Sequence, residues 1–167
     1  MKKLLLITLI AIFLINCSST GYKQVKRNSN IFAKVDRTTK STVYRHKDLE
    51  NSPLQFRIID GKQKNLVMDI VYLANGWLFF DTVLIVGNGE KIALANISDD
   101  DKQTEIHNQV ISEIYTTKCE NIEQIENLVS GDDLRMKIKG KEDKMYKIPA
   151  SQRKAILEMV EFFKKIK

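Results

Sequence analysis

From residue 31 onward, apolar and polar positions tend to alternate with a period of two, which is typical of β-strands. Leu54, Phe56 and Ile58 fall on one side of a predicted strand that ends at the turn dipeptide Asp60-Gly61. A second turn is predicted at Asn88-Gly89. Further β-prone runs predict strands at residues 31–35, 41–45, 91–97, 134–139 and 145–148. Because short turns join several of these runs, we expect neighbouring strands to pair as antiparallel hairpins.

Two longer apolar runs, residues 66–74 and 77–86, flank the dipeptide Asn75-Gly76. Asn-Gly between such runs favours a type I′ turn, because both of its central residues need a positive φ. The sequence therefore predicts a hairpin in which Asp69 lies opposite Thr82. Nearly every position of both runs is apolar, which indicates strands that are covered on both faces and central in their sheet.

Two segments carry the spacing of amphipathic helices. Residues 121–129 place apolar side chains three and four positions apart, and the C-terminal segment does the same after a predicted N-cap at Ser151. The C-terminal apolar stripe consists of Ile156, Met159, Val160, Phe163 and Ile166. Residues 104–117 fit either a helix or a strand, and their β-branched content favours the strand. The chain is therefore predicted to be α+β, an antiparallel β-sheet with the C-terminal amphipathic helix and the short second helix packed on one face.

The composition is that of one globular domain. The chain has 167 residues, and we assign residues 31–167 to a single domain. A hydrophobic content of 43% excludes collagen-like and low-complexity chains. The net charge of +6 is not concentrated in a basic tail, so we expect no nucleic-acid partner.

The first seventeen residues differ from the rest of the chain. Lys2 and Lys3 precede an apolar run from Leu4 to Ile15, and the chain turns polar after Cys17. This run of twelve residues is shorter than the roughly 20 that a membrane-spanning helix needs, but it suits the apolar region of a signal peptide. The two positive charges before the run favour a cytoplasmic N-terminus.

The segment Leu14-Ile15-Asn16-Cys17 resembles the lipobox of bacterial lipoprotein precursors, in which an aliphatic residue stands three positions before an invariant cysteine. Asn16 stands where this family usually has glycine, alanine or serine. The resemblance implies that a peptidase removes the signal peptide, residues 1–16, and that Cys17 is linked to diacylglycerol. Residues 17–30, which are mostly polar, are then a flexible tether between the lipid and the domain.

Such a protein is extracytoplasmic and is held at a membrane by the acyl chains on Cys17. Ser18 stands where an acid retains some lipoproteins of Gram-negative bacteria at the inner membrane. The resemblance therefore implies the periplasmic face of the outer membrane or the cell surface. Lipidation of Cys17 also leaves Cys119 without a disulfide partner, and a buried, inert thiol is the simpler interpretation of that residue.

Few residues suggest catalysis. His46 and His107 are the two histidines, and their spacing matches no metal-binding or nucleophile motif. We therefore expect neither a metal nor another cofactor, and the chain is predicted to have a non-catalytic binding or assembly role. The alternative is a small envelope enzyme, with a site built from His46, His107, Asp69 and Tyr72.

The candidate binding residues fall into two groups. Trp77 and Phe79 follow the predicted turn and suit an aromatic wall for a ligand, although such side chains more often pack in a core. Arg135, Lys137 and Lys139 form an outward row of positive charge on one predicted strand. This row suits an anionic surface or an acidic envelope protein, and a solvated strand face is the plainer interpretation. A structural subunit of an envelope complex that uses the same row is a further alternative.

Overall fold

Eleven β-strands and two α-helices form the part of the chain that the computed structural model describes, residues 23–25 and 29–166. The strands are β1 (Lys23–Gln24), β2 (Ile31–Asp36), β3 (Ser41–His46), β4 (Leu54–Asp60), β5 (Lys64–Ala74), β6 (Thr82–Gly87), β7 (Glu90–Leu94), β8 (Lys102–His107), β9 (Val110–Lys118), β10 (Arg135–Lys139) and β11 (Asp143–Lys147). The helices are α1 (Ile122–Ser130) and α2 (Ala150–Lys165), and one-turn 3-10 helices lie at Lys47–Leu49 and Asp99–Asp101. The predicted signal peptide and Cys17 lie outside the described residues.

The strands divide into two antiparallel sheets. The larger sheet has the order β1-β2-β3-β4-β5-β9-β8, and the smaller has the order β11-β10-β6-β7. Helix α2 packs against β3 and β4, α1 packs against β6 and β7, and the two helices contact each other, so that one hydrophobic core joins them all. The predicted α+β class, with its antiparallel strands and its C-terminal amphipathic helix, is confirmed. Two sheets stand where the sequence suggested one.

Strand periodicity decides which side chains enter the core. Leu54, Phe56 and Ile58 of β4 are at most 1% exposed, whereas the residues between them are half-buried. In β5, every residue from Leu66 to Tyr72 is buried, because this strand lies between β4 and β9 and has side chains packed on both faces. The apolar run of β5 therefore predicted its central position correctly.

Several predicted turns are present. The strand pairs β2–β3, β4–β5 and β6–β7 are all hairpins, and the last of them turns at Asn88-Gly89. Asn88 has φ 47° and Gly89 has φ 78°, the conformation that a type I′ turn requires. Asparagine and glycine tolerate this conformation better than other residues do, so the local sequence and the fold agree here.

The predicted hairpin at Asn75-Gly76 is wrong. Neither residue has a positive φ, and β5 pairs with β4 and β9 while β6 pairs with β7 and β10. Asp69 consequently lies opposite Gln55 and Thr116 rather than Thr82. The physical reason is that β5 has a partner strand on each side, since it pairs with β4 and forms eight residue pairs with β9. The chain therefore leaves the larger sheet after Ala74 and enters the smaller one.

The segment 104–117 is extended, as predicted, but it contains two strands. β8 and β9 form a hairpin around Asn108 and Gln109, which have φ 47° and 68°. Glutamine rarely adopts a positive φ, so the sequence carries no conventional signal for this turn. The predicted N-cap at Ser151 is also wrong, because Pro149 caps α2 without a side-chain hydrogen bond.

The segment predicted to be the tether includes a piece of the larger sheet. Lys23 lies opposite Ala33, Gln24 lies opposite Phe32, and the Val25 N–H donates to the Ile31 carbonyl over 3.0 Å. Within the described residues, none of the helices has the length and apolar character that a membrane crossing requires.

Candidate binding surface

Every second side chain of β6, β7, β10 and β11 points away from the core, and together these side chains form one surface, which we call the open face. Strand register arranges it in three cross-strand rows. The rows are Lys147, Arg135, Val86 and Lys91, then Met145, Lys137, Leu84 and Ala93, then Asp143, Lys139 and Thr82. All of these side chains are exposed or half-buried, so no described residue fully covers the open face.

The open face combines positive charge with exposed apolar area. One carboxylate, that of Asp143, stands among five cations, which are Lys91, Arg135, Lys137, Lys139 and Lys147. Val86 is 41% exposed and Met145 is 66% exposed, and both lie in the same rows as the cations. A surface of this kind attracts anions and also offers apolar contact.

Two of the five cations are engaged by nearby acids. Arg135 Nε lies 2.7 Å from Asp133 Oδ1, and Lys137 Nζ lies 2.5 Å from Asp143 Oδ2. The hydrogen bond from Lys137 is the main reason why the pKa of Asp143 lies below its ordinary value. Exposed pairs of this kind stabilise a fold very little. Lys139 forms no ion pair within the described residues, so its charge is available to a partner.

An aromatic stack adjoins the end of β10. The rings of Trp77 and Phe79 are stacked with centroids 5.3 Å apart, and Lys141 Nζ lies 4.3 Å from the centroid of Phe79. Lys141 is two residues beyond Lys139, and its N–H donates to the Leu78 carbonyl over 2.8 Å. Phe79 is 40% exposed and Trp77 is half-buried, whereas the intervening Leu78 is buried. Leu78 therefore packs in the core, whereas the two stacked rings remain at the surface.

A buried carboxylate holds this stack in place. Glu113 of β9 is 1% exposed, and its Oε1 accepts hydrogen bonds from the backbone N–H of Leu78 over 2.5 Å and of Phe79 over 3.1 Å. Phe79 has φ 51°, an unfavourable conformation for an aromatic residue. The two hydrogen bonds that the backbone donates to the charged carboxylate compensate for this unfavourable conformation.

Lys102 balances the charge of Glu113. Its side chain is 1% exposed, and its Nζ lies 3.8 Å from Glu113 Oε2 and 2.6 Å from Asp99 Oδ1. The same ammonium donates to the Phe80 carbonyl over 2.7 Å and lies 4.7 Å from the centroid of that ring. The segment that carries Trp77 is therefore bound by Glu113 at Leu78 and Phe79, and by Lys102 at Phe80.

The sequence analysis missed both Glu113 and Lys102. The available signal for Glu113 was a carboxylate between Ile111 and Tyr115, at a position whose side faces the core. A charged residue at a core position needs a partner of opposite charge or several hydrogen-bond donors. That rule points to a buried network, although it does not say which segment supplies the donors.

The residues of the predicted alternative enzyme site do not converge. His46 is at the end of β3, and His107 is exposed at the end of β8, the far edge strand of the same sheet. Asp69 and Tyr72 are both buried in β5, but three positions apart along a strand places them on opposite faces.

The ring of His46 is buried and hydrogen-bonded within the fold. It is 2% exposed, its Nδ1 accepts the Asp48 N–H over 3.2 Å, and its Nε2 lies 3.0 Å from Glu158 Oε2 on α2. Because Nδ1 is an acceptor, the ring proton lies on Nε2 and is donated to the carboxylate. Both nitrogens are thereby occupied by protein groups.

Cys119 is half-buried and forms no disulfide within the described residues. Desolvation by its surroundings, with a smaller contribution from the charge of Asp69, raises the pKa of the thiol to about 12. The group therefore stays protonated at neutral pH, and a protonated thiol is a poor nucleophile.

These features define a small antiparallel α+β domain with an exposed, cationic and partly apolar sheet face. Comparison of the chain with protein-family models, with curated proteins and with solved structures finds no match.

Proposed function

We propose that this chain is a lipid-anchored lipoprotein of the bacterial cell envelope, and that its domain has a binding role in which the open face docks onto anionic phospholipid. The lipobox-like segment that ends at Cys17 supports the anchor. The observation that carries the docking role is the meeting of five cations and exposed apolar side chains on the open face, with the Trp77–Phe79 stack beside the end of β10.

The chemistry of the open face fits the boundary between lipid headgroups and acyl chains. Lysine and arginine near an anionic membrane contribute about 1 kcal/mol each, and tryptophan is enriched at that boundary because its ring is amphipathic. Val86 and Met145 add apolar area between the charges. The acyl chains keep the protein at the membrane, and the open face then determines which side of the domain meets the lipid.

Replacing Cys17 by alanine is expected to abolish incorporation of radiolabelled palmitate and to release the protein from the membrane fraction. The reason is that the thioether sulfur is the attachment point of the acyl chains. Cys119→Ala is the matched control, and it should retain both the label and the membrane association. Palmitate labelling that persists in Cys17→Ala contradicts the proposed anchor.

Trp77 is the one tryptophan of the chain, so its fluorescence reports on the aromatic stack that adjoins the end of β10. We expect the full-length lipidated protein, reconstituted in vesicles with equimolar phosphatidylcholine and brominated phosphatidylglycerol, to show a quenched and blue-shifted emission. In vesicles of brominated phosphatidylcholine alone, the emission should stay close to that of the protein in detergent. Molar salt should reverse the quenching, because it screens the exposed charges.

The charge requirement is tested with a pair of double variants. Lys139→Gln with Lys147→Gln should weaken docking by about 30-fold, since two cations at about 1 kcal/mol each are removed. Lys154→Gln with Lys165→Gln removes two exposed cations from α2 and should leave the quenching unchanged. Equal quenching in both lipid compositions contradicts docking by the open face, and so does an equal loss of quenching in both double variants. Binding of an envelope protein to the open face in place of lipid also contradicts it.

A further inference from the structure

The dipeptide Asn-Gly occurs twice in the chain, at Asn75-Gly76 and at Asn88-Gly89, and the two copies have different surroundings in the fold. The second copy forms the turn of the β6–β7 hairpin, whereas the first forms no hairpin turn. Asn-Gly is also the dipeptide in which an asparagine side chain loses its amide most readily, because glycine has no side chain that obstructs attack by its backbone nitrogen. The folded state therefore decides which copy reacts.

Deamidation of an Asn-Gly pair proceeds through a cyclic imide, and water is its one co-reactant. The glycine nitrogen gives its proton to hydroxide and attacks the side-chain Cγ. The N–Cγ bond forms, the Cγ–Nδ2 bond breaks, and the amide nitrogen takes a proton from water and leaves as ammonia. Water then opens the imide at either carbonyl, which yields aspartate or its isomer isoaspartate. Both products carry a carboxylate where the amide was neutral.

The conformation of Asn88 opposes this ring closure. The ring needs Cβ and the next backbone nitrogen on the same side of the Cα–C bond, whereas a type I′ turn holds them on opposite sides. Asn88 has φ 47°, and the turn is closed by the pairing of Gly87 with Glu90. Its Nδ2 also donates to the Asn127 carbonyl over 3.1 Å and to Ser130 Oγ over 2.9 Å, which fixes the side chain on α1.

Asn75 has none of these restraints within the described residues. Strand β5 ends at Ala74, neither Asn75 nor Gly76 has a positive φ, and the Asn75 side chain makes no hydrogen bond with a described residue. Both residues are exposed, and a Cβ added to Gly76 would meet no atom within 4 Å. Exposed backbone beside open space rotates into the cyclic geometry without breaking a strand or a helix.

We propose that Asn75 is a site of spontaneous deamidation and that the new carboxylate weakens docking of the open face. Position 75 is two residues before Trp77, whose ring stacks on Phe79 beside the end of β10. A negative charge added there repels the anionic headgroups that attract Lys139 and Lys147. Because the lost ammonia does not return, docking weakens with the age of the molecule. The modification is independent of the proposed function, whereas its effect on docking rests on that function.

The modification is tested by ageing the full-length lipidated protein in nonionic detergent at mildly alkaline pH, with and without urea. Trypsin releases residues 65–91 as one peptide that contains both Asn-Gly pairs, and its fragment masses assign each lost amide. In the folded protein, we expect Asn75 to deamidate at least about tenfold faster than Asn88, since breaking the two hydrogen bonds of Asn88 costs that much. In urea the two rates should become similar. Equal rates in the folded protein, or the same difference in urea, overturn the proposal.

The effect on docking is tested with three variants in vesicles that contain brominated phosphatidylglycerol. Asn75→Asp carries the charge of the product and should weaken docking by about fivefold, since one unit charge near an anionic membrane has about that effect. Asn75→Gln keeps a neutral amide on a longer side chain that cyclises far more slowly, so it should dock as the original protein does and keep its affinity on ageing. Asn51→Asp is the matched control, because it adds the same charge at an exposed position before β4 and should leave docking unchanged.

The outcomes separate this inference from the proposed function. An original protein that shows no lipid-dependent quenching contradicts the proposed function, and the mass measurement, which needs no lipid, still decides whether Asn75 is modified. Where the original protein docks, an unchanged affinity of Asn75→Asp overturns the effect on docking, and so does an equal loss of affinity in Asn51→Asp.

Discussion

Glu113→Ala is expected to lower the free energy of unfolding by about 3 to 5 kcal/mol, the range for the loss of one partner from a buried charged network. The change leaves the N–H groups of Leu78 and Phe79 without their acceptor and removes one of the two acids near Lys102. Urea denaturation measures the loss. Because the segment that carries Trp77 loses two of its hydrogen bonds, the fluorescence of Trp77 should shift to the red under conditions in which the rest of the domain is still folded.

Two further variants isolate the role of the carboxylate. Glu113→Gln keeps an oxygen that can accept the two backbone donors, so it should cost clearly less than Glu113→Ala. Glu105→Ala removes an exposed acid from the neighbouring strand β8 and should change stability by less than about 0.5 kcal/mol. If Glu113→Ala proves as stable as Glu105→Ala, the buried network does not hold the aromatic stack.

Arg57→Met is expected to destabilise the protein by about 3 kcal/mol. The side chain of Asp69 is 5% exposed, and removing its guanidinium partner leaves a buried carboxylate with Thr116 as its remaining donor. Breaking a buried pair in this way costs about 3–5 kcal/mol, and the lower value applies here because Arg57 is 20% exposed. The midpoint of urea denaturation at neutral pH measures the change.

The double variant Arg57→Met with Asp69→Leu provides the thermodynamic cycle. Replacing both members of a buried pair with apolar residues is often nearly neutral, so the double variant should recover most of the stability that Arg57→Met loses. If the free-energy loss of the double variant equals the sum of the losses in Arg57→Met and Asp69→Leu, the two side chains do not interact.

Much of the fold could be predicted because its signals are local. The alternation of Leu54, Phe56 and Ile58 defines both a strand and its buried side, and Asn88-Gly89 defines a turn within four residues. The helical stripe of α2 is equally local, since Ile156, Met159 and Val160 are buried as their spacing indicates. Each of these inferences depends on residues that are neighbours along the chain.

The wrong hairpin shows where local signals fail. Asn75-Gly76 carries the sequence of a type I′ turn, yet the run that follows it belongs to a different sheet. Pairing of β5 with β9 brings Glu113 beside the segment after the turn, and its carboxylate takes the N–H groups of Leu78 and Phe79. A contact between residues 34 or 35 positions apart thus overrides a two-residue preference.

The features of the candidate site also divide into those that local sequence signals predict and those that depend on contacts between distant residues. The row of Arg135, Lys137 and Lys139 could be found because it depends on the parity of one strand. The buried network of Glu113 and Lys102 could not, since these two residues lie on neighbouring strands and bind a segment 35 and 22 positions away along the chain. The link between Trp77 and the end of β10 was hidden for the same reason, because it arises from a contact with Lys141.

The pairing of β1 with β2 limits how far the domain can move from a lipid-bearing Cys17. Lys23 is six residues after Cys17, and six residues span at most about 21 Å even when fully extended. Gln24 lies directly opposite Phe32 of β2, so the larger sheet begins close to Cys17 along the chain. The proposed acylation at Cys17 would therefore give the domain a short pivot at its β1 edge and would keep that edge within a few nanometres of the bilayer however the domain rotates.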